Sequence, residues 1–513
     1  MFAKVFSATT FGIDAIIVEV ETHIESQVPG FAIVGLPDST VKESKERVIA
    51  AIKNSNLTFP SKKITINLAP ADIKKEGSLF DLPIAISILQ ANQSIELTNL
   101  SEYLILGELS LDGNLRPIHG VLPICMRARQ EGFKGVILPE KNALEASIVD
   151  GLNIYSANSL RSCIEILQDI DSQVPIKTDV REIFERSIDY PVDFAEVKGQ
   201  ENVKRALEVA AAGGHNILMI GPPGSGKTML VRRLPTILPI LTFEEALETT
   251  KIHSVAGLLN HDKPIVTNRP FRNPHHTISD VALIGGGSYP RPGEVSFAHN
   301  GVLFLDELPE FKKNVLEVLR QPLEDRKVTI SRSKLSLEFP SSFMLVAAMN
   351  PCPCGYYTDP TKQCSCTIPQ IQKYLSKISG PLLDRIDIHI DVPAVKFKEL
   401  LSSNQGESSK SIRERVTKAR EIQLERFKEY PGIYSNADMN SKLVKKFCQI
   451  DEMGEELLKN AITKLGLSAR AYDRILKVSR TIADLEGSLK ILPHHISEAI
   501  QYRTLDRNSL FLH

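Results

Sequence analysis

The strongest constraint on this chain is a glycine-rich run at residues 221–228, which reads GPPGSGKT. The apolar residues Ile217–Ile220 precede it and predict a buried strand, while Met229–Leu234 continue as a predicted helix. A strand, this loop and a helix, in that order, are typical of a phosphate-binding P-loop, where glycines let backbone N–H groups turn toward phosphate oxygens. The run therefore predicts a nucleoside triphosphate site.

Nine consecutive residues form the predicted nucleotide contact. They are Gly221, Pro222, Pro223, Gly224, Ser225, Gly226, Lys227, Thr228 and Met229. In such loops the lysine amine reaches the β- and γ-phosphates, which is the role expected of Lys227, and the Thr228 hydroxyl is placed to hold Mg²⁺. The expected ligands are ATP and Mg²⁺.

Polar residues also end two later apolar stretches. Asp306 and Glu307 come directly after Val302–Leu305, and Asn350 follows the strand-like stretch Phe343–Ala348. We expect Asp306 to hold Mg²⁺ through water and Glu307 to orient or deprotonate the attacking water. Asn350 is expected to position that water or to sense the γ-phosphate, with a turn asparagine before proline as the alternative.

The length and the charge of the chain narrow the classes of protein to which it can belong. The chain has 513 residues, more than one hydrophobic core usually spans, and its 61 basic side chains nearly cancel its 62 acidic ones. Any contact with nucleic acid would therefore be local. The N-terminus lacks the basic and apolar regions of a secretory signal, and no apolar run is long enough to span a membrane, so we predict a cytoplasmic protein.

The apolar pattern divides the chain into four segments. Residues 1–168 alternate strand and helix patterns and predict a mixed α/β domain, and 169–192 are predicted to be a linker because the periodicity weakens there. Residues 193–394 form the predicted nucleotide-binding α/β domain with a parallel sheet. From 395 to 513 apolar residues recur at helical spacing, which predicts an α-helical lid.

The P-loop, the acidic strand end and the polar strand end, in that order, resemble the AAA+ ATPases of the clade that contains magnesium-chelatase subunits and replicative helicases. Four further motifs, at residues 269–277, 293–296, 350–355 and 380–387, together resemble the ComM/YifB family of magnesium-chelatase-like proteins. The resemblance covers almost the whole chain. It implies a ring-forming ATPase, with a hexamer as the expected assembly.

By that resemblance, Arg385 is similar to the arginine finger, which enters the neighbouring subunit's site and neutralises charge on the γ-phosphate. An arginine paired with Asp384 or Asp387 is the alternative.

Residues 468–474 resemble the lid segment that bears the sensor-2 arginine. Arg470 is the first choice for that residue, and Arg474 and Arg480 compete with it. A solvated basic helix face is the ordinary interpretation of three such arginines.

The N-terminal domain resembles the S5-like α/β proteolytic domain of Lon across residues 107–140. Lon-type proteolysis needs a serine nucleophile activated by a lysine amine. Alignment places Leu79 where the serine would be and Leu122 where the lysine would be, and neither can do this chemistry. Ser78, with Lys74–Lys75 close by, leaves a shifted dyad as the alternative, but we predict an inactive scaffold.

Four of the seven cysteines crowd into one loop, as two CxC pairs separated by nine residues. They are Cys352, Cys354, Cys364 and Cys366. Four thiolates fit a tetrahedral structural Zn²⁺ site, and free thiols on an ordered loop are the alternative. The adjacent His275 and His276 are not expected to bind metal, because neighbouring side chains on regular structure point apart.

Two segments are candidate DNA contacts. The Gly/Pro-rich segment 285–293 resembles a loop that projects into the channel of ring ATPases, where Tyr289 would stack on a base and Arg291 would meet phosphate. Residues 328–339 alternate like a β-hairpin with a basic tip that contains Arg332 and Lys334. A surface hairpin with solvated charges is the alternative.

The leading hypothesis is a ring-forming, ATP-driven DNA motor that resembles the bacterial helicases promoting branch migration in homologous recombination and natural transformation. Its expected DNA partners are single-stranded and branched. A magnesium-chelatase-type subunit shares the same ATPase core and is one alternative. A protein unfoldase is another, in which Tyr289 would grip a polypeptide.

Overall fold

A computed structural model describes residues 1–179, 182, 190–260, 262–332, 335–357, 359, 362–394, 406–465 and 469–503. The chain divides into two compact units, Met1–Ser187 with Phe243–Val266, and Ile188–Thr242 with Thr267–His513. Each unit has α/β character, as predicted. Among the described helices, none is long and apolar enough to cross a membrane.

The first unit is built on a mixed seven-stranded sheet. Its central hairpin pairs Phe2–Phe11 with Asp14–Glu25 in antiparallel register, and alternate side chains of both strands are buried, as a sheet covered on one face requires. The spatial order of the strands is Gly30–Val34, Lys63–Ala69, Asp14–Glu25, Phe2–Phe11, Tyr103–Ile105, Gly135–Pro139 and Asn153–Ala157. A separate two-stranded ribbon joins Glu108–Leu109 to Leu115–Arg116.

Helices cover this sheet. The helix Asp81–Ala91 is buried on nearly every side, which explains its almost continuous apolar sequence. The other α-helices among the described residues of the unit are Ser39–Asn54, Val121–Gln130, Ala143–Ala146, Leu160–Gln168 and Phe243–Val255. Short 3₁₀ turns occupy Leu100–Glu102, Glu140–Asn142 and Ile170–Ser172.

The helix Phe243–Val255 lies within the range predicted for the nucleotide-binding domain, yet it packs with the first unit. Leu247 contacts the core of that unit, and the Gly120 N–H donates to the Ser254 carbonyl at 3.0 Å. The apolar positions of this helix did not predict its packing with the first unit. Helical periodicity indicates that one face is buried, but it does not indicate which surface covers that face.

The second unit contains a five-stranded sheet in which every pair is parallel. Its three inner strands, Ile217–Ile220, Val302–Leu305 and Met344–Met349, are short, fully apolar runs, as expected where helices cover both faces. Their spatial order is Phe271–Arg272, Val302–Leu305, Met344–Met349, Ile217–Ile220 and Ile388–Asp391. The carboxyl ends of parallel strands meet at one edge, which is where ligands bind in such sheets.

The helices of this unit precede, separate and follow those strands. Up to residue 383 the α-helices are Glu201–Gly213, Lys227–Arg233, Asp280–Ile284, Glu294–Phe297, Lys313–Glu317, Arg320–Asp325, Ile368–Leu375 and Gly380–Leu383. Short 3₁₀ turns lie at Phe194–Glu196, Leu234–Thr236, Leu308–Glu310 and Asn436–Asp438. Two hairpins complete it, Gly285–Gly286 with Arg291–Pro292, and Lys327–Arg332 with Leu335–Pro340.

The C-terminal region is helical, as predicted for the lid. Its helices are Ser409–Phe427, Ser441–Phe447, Glu452–Leu465, Ala469–Leu485 and Pro493–Gln501. A buried carboxylate, Asp484, accepts hydrogen bonds from Arg426 at 2.7 Å and from Arg480 at 3.1 Å. An unpaired charge at this depth would be costly, so the Asp484 carboxylate must keep its arginine partners. Its bond to Arg426 therefore holds the helix Ala469–Leu485 against the helix Ser409–Phe427.

Candidate nucleotide site

The glycine-rich run folds as a loop between a buried strand and a helix. Ile217–Ile220 is the strand, and Lys227 begins the helix. Gly224 and Gly226 adopt φ of 77° and 86°, a left-handed conformation that glycine enters without strain. Gly221 passes close to the residue that follows the edge strand Ile388–Asp391, since a Cβ there would lie 2.2 Å from the Val392 carbonyl oxygen. These glycines make the turn inward possible.

Lys227 lies inside this loop. Its Nζ donates to the carbonyl oxygens of Gly221 at 2.7 Å and Pro222 at 2.9 Å, and it lies 3.4 Å from Asn350 Oδ1 and Ser225 Oγ. Burial lowers the pKa of the Lys227 amine. Pro223 and Met229, also in the predicted contact set, are exposed.

Two predicted magnesium ligands meet beside the loop. The Thr228 hydroxyl donates to Asp306 Oδ2 at 2.8 Å, and the Glu307 N–H donates to Asp306 Oδ1 at 2.9 Å. A hydroxyl and a carboxylate oxygen are the hard donors that Mg²⁺ prefers. Together with the loop and its enclosed amine, they fit a triphosphate with its magnesium ion.

The Glu307 carboxylate is exposed and lies next to a residue that the sequence left without a role. Glu307 has φ of 53°, and its Oε2 is 3.3 Å from His276 Nδ1. The rings of His275 and His276 lie 4.1 Å apart, so the expectation that they point apart is wrong. They belong to an irregular loop after Phe271–Arg272, where the alternation of regular structure does not apply.

A second missed residue is Gln200. Its Nε2 donates to the carbonyl oxygens of Ser225 at 2.8 Å and Pro393 at 3.0 Å, so it braces the P-loop against the chain that follows the edge strand. No motif marks Gln200, because its role depends on bringing together residues far apart in the sequence.

The four cysteines of the CxC pairs form one cluster. Sγ distances are 3.3 Å between Cys352 and Cys354, 3.7 Å between Cys352 and Cys364, and 3.5 Å between Cys354 and Cys364. All four sulfurs, including that of Cys366, lie within 4.8 Å of one another. Hydrogen bonding from the Tyr356 backbone lowers the pKa of Cys354 to about 5, whereas burial raises the pKa of Cys352 to about 12.

This cluster lies against the P-loop. Gly355, between the two CxC pairs, has φ of 87°, and a Cβ there would lie 2.4 Å from Pro223 Cδ and 3.8 Å from the Asn350 carboxamide carbon. Asn350 is also two residues before Cys352. The cysteine loop and the nucleotide loop are therefore in van der Waals contact.

A second group of metal-type ligands, Glu486 with His494 and His495, has a different explanation. His495 Nδ1 accepts the Leu492 N–H at 2.9 Å, so the neutral ring carries its hydrogen on Nε2, which lies 2.9 Å from Glu486 Oε2. The buried His495 thus caps the start of the helix Pro493–Gln501.

The arginines assigned by resemblance line one cleft of about 200 Å³. Arg385 is buried, contacts Glu324 and donates to the Pro381 carbonyl oxygen at 2.6 Å. Arg385 pairs with neither Asp384 nor Asp387, the pairing that was the alternative to its predicted role as an arginine finger. The buried Arg385 Nε has no hydrogen-bond partner in the described part of the chain.

The three lid arginines differ in their surroundings. Arg470 is 67% exposed in its side chain and lies 3.9 Å from Asp384 in the same cleft. Arg474 pairs with the buried Asp387. Arg480 is buried on Asp484 and donates to the Leu489 carbonyl at 2.9 Å, so it serves the helical packing.

The candidate DNA segments lie side by side. Arg332 Nε, at the tip of the hairpin, donates to the Gly287 carbonyl at 3.1 Å, and a Cβ on Gly285 would lie 2.8 Å from Ile330 Cδ1. Arg291 and Arg332 are exposed, and Tyr289 is half-buried. Lys334 lies outside the described residues.

In the first unit, the positions aligned with a Lon dyad are filled by apolar packing. Leu79 and Leu122 are buried in the core. Ser78 donates instead to Glu108, and the Lys75 amine donates to the Pro70 carbonyl and to the Ile73 carbonyl at 2.8 Å. Lys74 pairs with Glu76 at 2.5 Å.

Family comparisons cover most of the chain. The family described as "Magnesium chelatase, subunit ChlI" matches residues 193–400, "Subunit ChlI of Mg-chelatase" matches 20–142, and "Magnesium chelatase, subunit ChlI C-terminal" matches 406–503. The match over residues 193–400 contains the P-loop, the acidic strand end and the cysteine loop.

Three relatives extend this result. Competence protein ComM of Haemophilus influenzae is 45% identical over 511 residues, covering 98% of each chain. The uncharacterised protein YifB of Escherichia coli is 42% identical over 506 residues, covering 98% of this chain and 97% of its own. Lon protease 2 of Bacillus subtilis is 30% identical over 162 residues, which is 29% of this chain and 28% of the protease. Full-length similarity at this level, with matching families on both sides of the P-loop, shows that the chain belongs to the ComM/YifB family of magnesium-chelatase-like AAA+ ATPases.

Proposed function

We propose that this protein is a cytoplasmic, ATP-driven DNA motor that assembles as a hexameric ring and promotes branch migration in homologous recombination and natural transformation. The contact between Arg332 and Gly287 carries the proposal, because it joins two segments that each present an exposed arginine into one surface. The name of the Haemophilus influenzae relative, competence protein, favours the link to natural transformation.

The nucleotide site of one subunit supplies the residues that bind ATP and activate the attacking water. The Lys227 amine would leave the carbonyl oxygens of Gly221 and Pro222 for the β- and γ-phosphates, while Thr228 and Asp306 hold the ion. Bound Mg²⁺ supplies charge neutralisation on the phosphate oxygens. Glu307 orients the attacking water and accepts its proton, and Asn350 holds the γ-phosphate side of the site.

Completion of the site requires a second subunit. Arg385 and Arg470 line a common cleft and carry the donors that a γ-phosphate needs, and we propose that they serve the nucleotide of a neighbouring subunit. The arginine finger supplies charge that the site of a single chain lacks, which links hydrolysis to ring assembly.

The DNA half depends on Tyr289, Arg291 and Arg332, with Lys334 as a further candidate. Guanidinium groups contact phosphates, and an aromatic ring stacks on any base, so such a surface binds single strands without reading sequence. A magnesium-chelatase-type subunit is the alternative that the family names favour, and an unfoldase is the other.

We propose that the first unit does not cleave peptides and acts in assembly or substrate engagement. The buried leucines at 79 and 122 support this, as does the Ser78 hydroxyl, which donates to Glu108 and not to a lysine amine.

We also propose that the cysteine cluster holds a structural Zn²⁺. Four sulfurs within 4.8 Å of one another suit tetrahedral coordination. Apparent binding energies of about 10–16 kcal/mol for such sites would stabilise a loop too short to build a core.

The ATPase assignment predicts different losses for two substitutions. Lys227→Ala should abolish ATP binding, because the amine is the positive charge closest to the phosphates. Glu307→Gln should retain binding and lower kcat by about 10²- to 10⁴-fold, the usual contribution of a general base. Fluorescent-nucleotide titration and phosphate release measure the two effects, and turnover by Glu307→Gln within about ten-fold of wild type would contradict the assignment.

The shared site predicts that two inactive variants complement each other. Arg385→Ala should lower assembled ATPase activity by about 10³- to 10⁵-fold while ATP binding persists. Mixing it with Lys227→Ala should restore hydrolysis, because some interfaces then combine an intact P-loop with an intact finger. Phosphate release from mixed and unmixed samples measures this, and a mixture as inactive as its components would exclude action between subunits.

The DNA surface predicts that wild-type ATPase activity rises with single-stranded or forked DNA and that a synthetic Holliday junction is migrated. Arg332→Glu should weaken DNA binding and lower the salt dependence of affinity by about one counterion. Lys327→Gln, at the base of the same hairpin and paired with Glu338 at 2.9 Å, is the matched control and should bind normally. Absence of DNA binding at low salt in the wild type would sink the motor hypothesis.

The zinc assignment predicts stoichiometric metal in protein purified without chelator. Cys352→Ser should lose the metal and lower the melting temperature, because the loop loses its cross-link. Cys448→Ser, a buried cysteine outside the cluster, controls for the substitution itself. Elemental analysis of the purified proteins distinguishes a zinc-bound cluster from free thiols. Wild-type protein without metal would contradict the zinc assignment and leave the cluster as reduced thiols.

A further inference from the structure

Asn216 lies at the start of the strand that leads into the P-loop, and its side chain joins two other parts of the second unit. Its Oδ1 accepts the Leu345 N–H at 2.8 Å, and its Nδ2 donates to the Arg385 carbonyl oxygen at 3.0 Å. A backbone N–H only donates and a carbonyl only accepts, so these partners fix the orientation of the carboxamide. Asn216 thus links the strand Met344–Met349 to the residue proposed as the arginine finger.

The backbone of Asn216 holds the segment after Arg385 by bonds that do not depend on the asparagine side chain. Its carbonyl oxygen accepts the N–H groups of Asp387 at 3.0 Å and Ile388 at 3.1 Å, and its own N–H donates to Asp387 Oδ2 at 3.3 Å. These three bonds remain available to any residue with a backbone N–H at position 216. A substitution there is therefore expected to leave the strand Ile388–Asp391 paired and to change only the side-chain links.

Asn216 lies at the end of its strand that is opposite to the P-loop. Gly221, the first residue of the P-loop, is five positions farther along the chain. At about 3.3 Å per residue of strand, the two residues are about 16 Å apart. Asn216 therefore does not touch a nucleotide bound to the P-loop of its own chain, and it acts on a nucleotide only through the residues that it holds.

We infer that Asn216 is a positioning residue for the arginine finger, an inference that rests on the proposed function. The Arg385 N–H donates to the Leu382 carbonyl at 2.9 Å within its own helical turn, and the Asn216 side chain fixes the carbonyl on the other side of the residue. A guanidinium that neutralises charge on a γ-phosphate must be held in place, because a displacement of about 1 Å can cost about 10²-fold in rate. The effect of Asn216 is thus exerted at the nucleotide of the neighbouring subunit.

The second link of Asn216 defines the competing explanation. Through Leu345 it contacts the strand whose far end precedes Asn350, a residue of the chain's own nucleotide site. Asn216→Asp separates the two roles, because it keeps an oxygen for the Leu345 N–H. In place of the Nδ2 donor it puts a second oxygen, which repels the Arg385 carbonyl.

Mixed assemblies identify the subunit that Asn216 serves. Asn216→Asp alone should bind ATP like the wild type and lower assembled ATPase activity by up to about 10²-fold. Mixing it with Lys227→Ala should restore phosphate release, because an intact P-loop then meets an intact finger. Mixing it with Arg385→Ala should give no such restoration, because neither variant has a working finger. Asn216→Ala, which removes the donor without adding a charge, should show the same pattern.

Asn142→Asp is the matched control for the substitution itself. Asn142 is a buried asparagine of the first unit whose carboxamide also bridges a backbone N–H and a carbonyl, both of Ile118 and both at 2.9 Å. Its substitution should lower the melting temperature, because a buried donor is replaced by an acceptor, and should keep wild-type ATPase activity. A loss of activity as large as that of Asn216→Asp would overturn the inference.

The remaining outcomes also decide the matter. Restoration of Asn216→Asp by Arg385→Ala and not by Lys227→Ala would assign Asn216 to its own P-loop, and restoration by neither would show a role in folding alone; both results overturn the inference. The mixture of Lys227→Ala with Arg385→Ala tests the proposed function separately. If that mixture is inactive, the shared site fails and this inference falls with it. If it is active while Asn216→Asp departs from the expected pattern, only this inference fails.

Discussion

The parallel pairing of three short strands positions almost everything at the nucleotide site. Leu305 pairs with Ala347, and Ile220 pairs with Met349, so these strands end at the same edge of the sheet. The sheet therefore brings together the residues that follow each strand, and their own contacts are not needed to do so. Because the strands are buried on both faces, a shift in register would move apolar side chains off their partners, and this fixes the site as firmly as the core.

The polar groups at that edge satisfy one another in the isolated chain. The Lys227 amine donates to loop carbonyls, and the Thr228 hydroxyl donates to Asp306. Each bond occupies an atom that nucleotide chemistry would need. Without nucleotide, the polar groups of the site are thus already hydrogen-bonded. Nucleotide binding replaces these internal hydrogen bonds with bonds to phosphate and leaves few polar groups unsatisfied.

Residue type and spacing predict the parts of the site that local chemistry dictates. The P-loop, the carboxylates at 306 and 307 and the cysteine pairs each follow from residue type and spacing, and the fold class follows from the apolar runs. Contacts across long separations could not be predicted. Arg385 meets Glu324, 61 positions away, a partner that neither its predicted role as arginine finger nor the alternative pairing with Asp384 or Asp387 included, and the helix Phe243–Val255 joins the first unit. His276 was missed because an irregular loop has no periodicity to indicate where a side chain points.

The close approach of Gly355 to Pro223 has a consequence for sequence variation. A Cβ at position 355 would lie 2.4 Å from the proline ring, and a φ of 87° is itself unfavourable for other residues. Gly355 can therefore not gain a side chain while Pro223 is retained in place. The third position of the P-loop and the glycine of the cysteine loop are thus coupled by packing, so a larger residue at 355 requires a smaller or displaced side chain at 223.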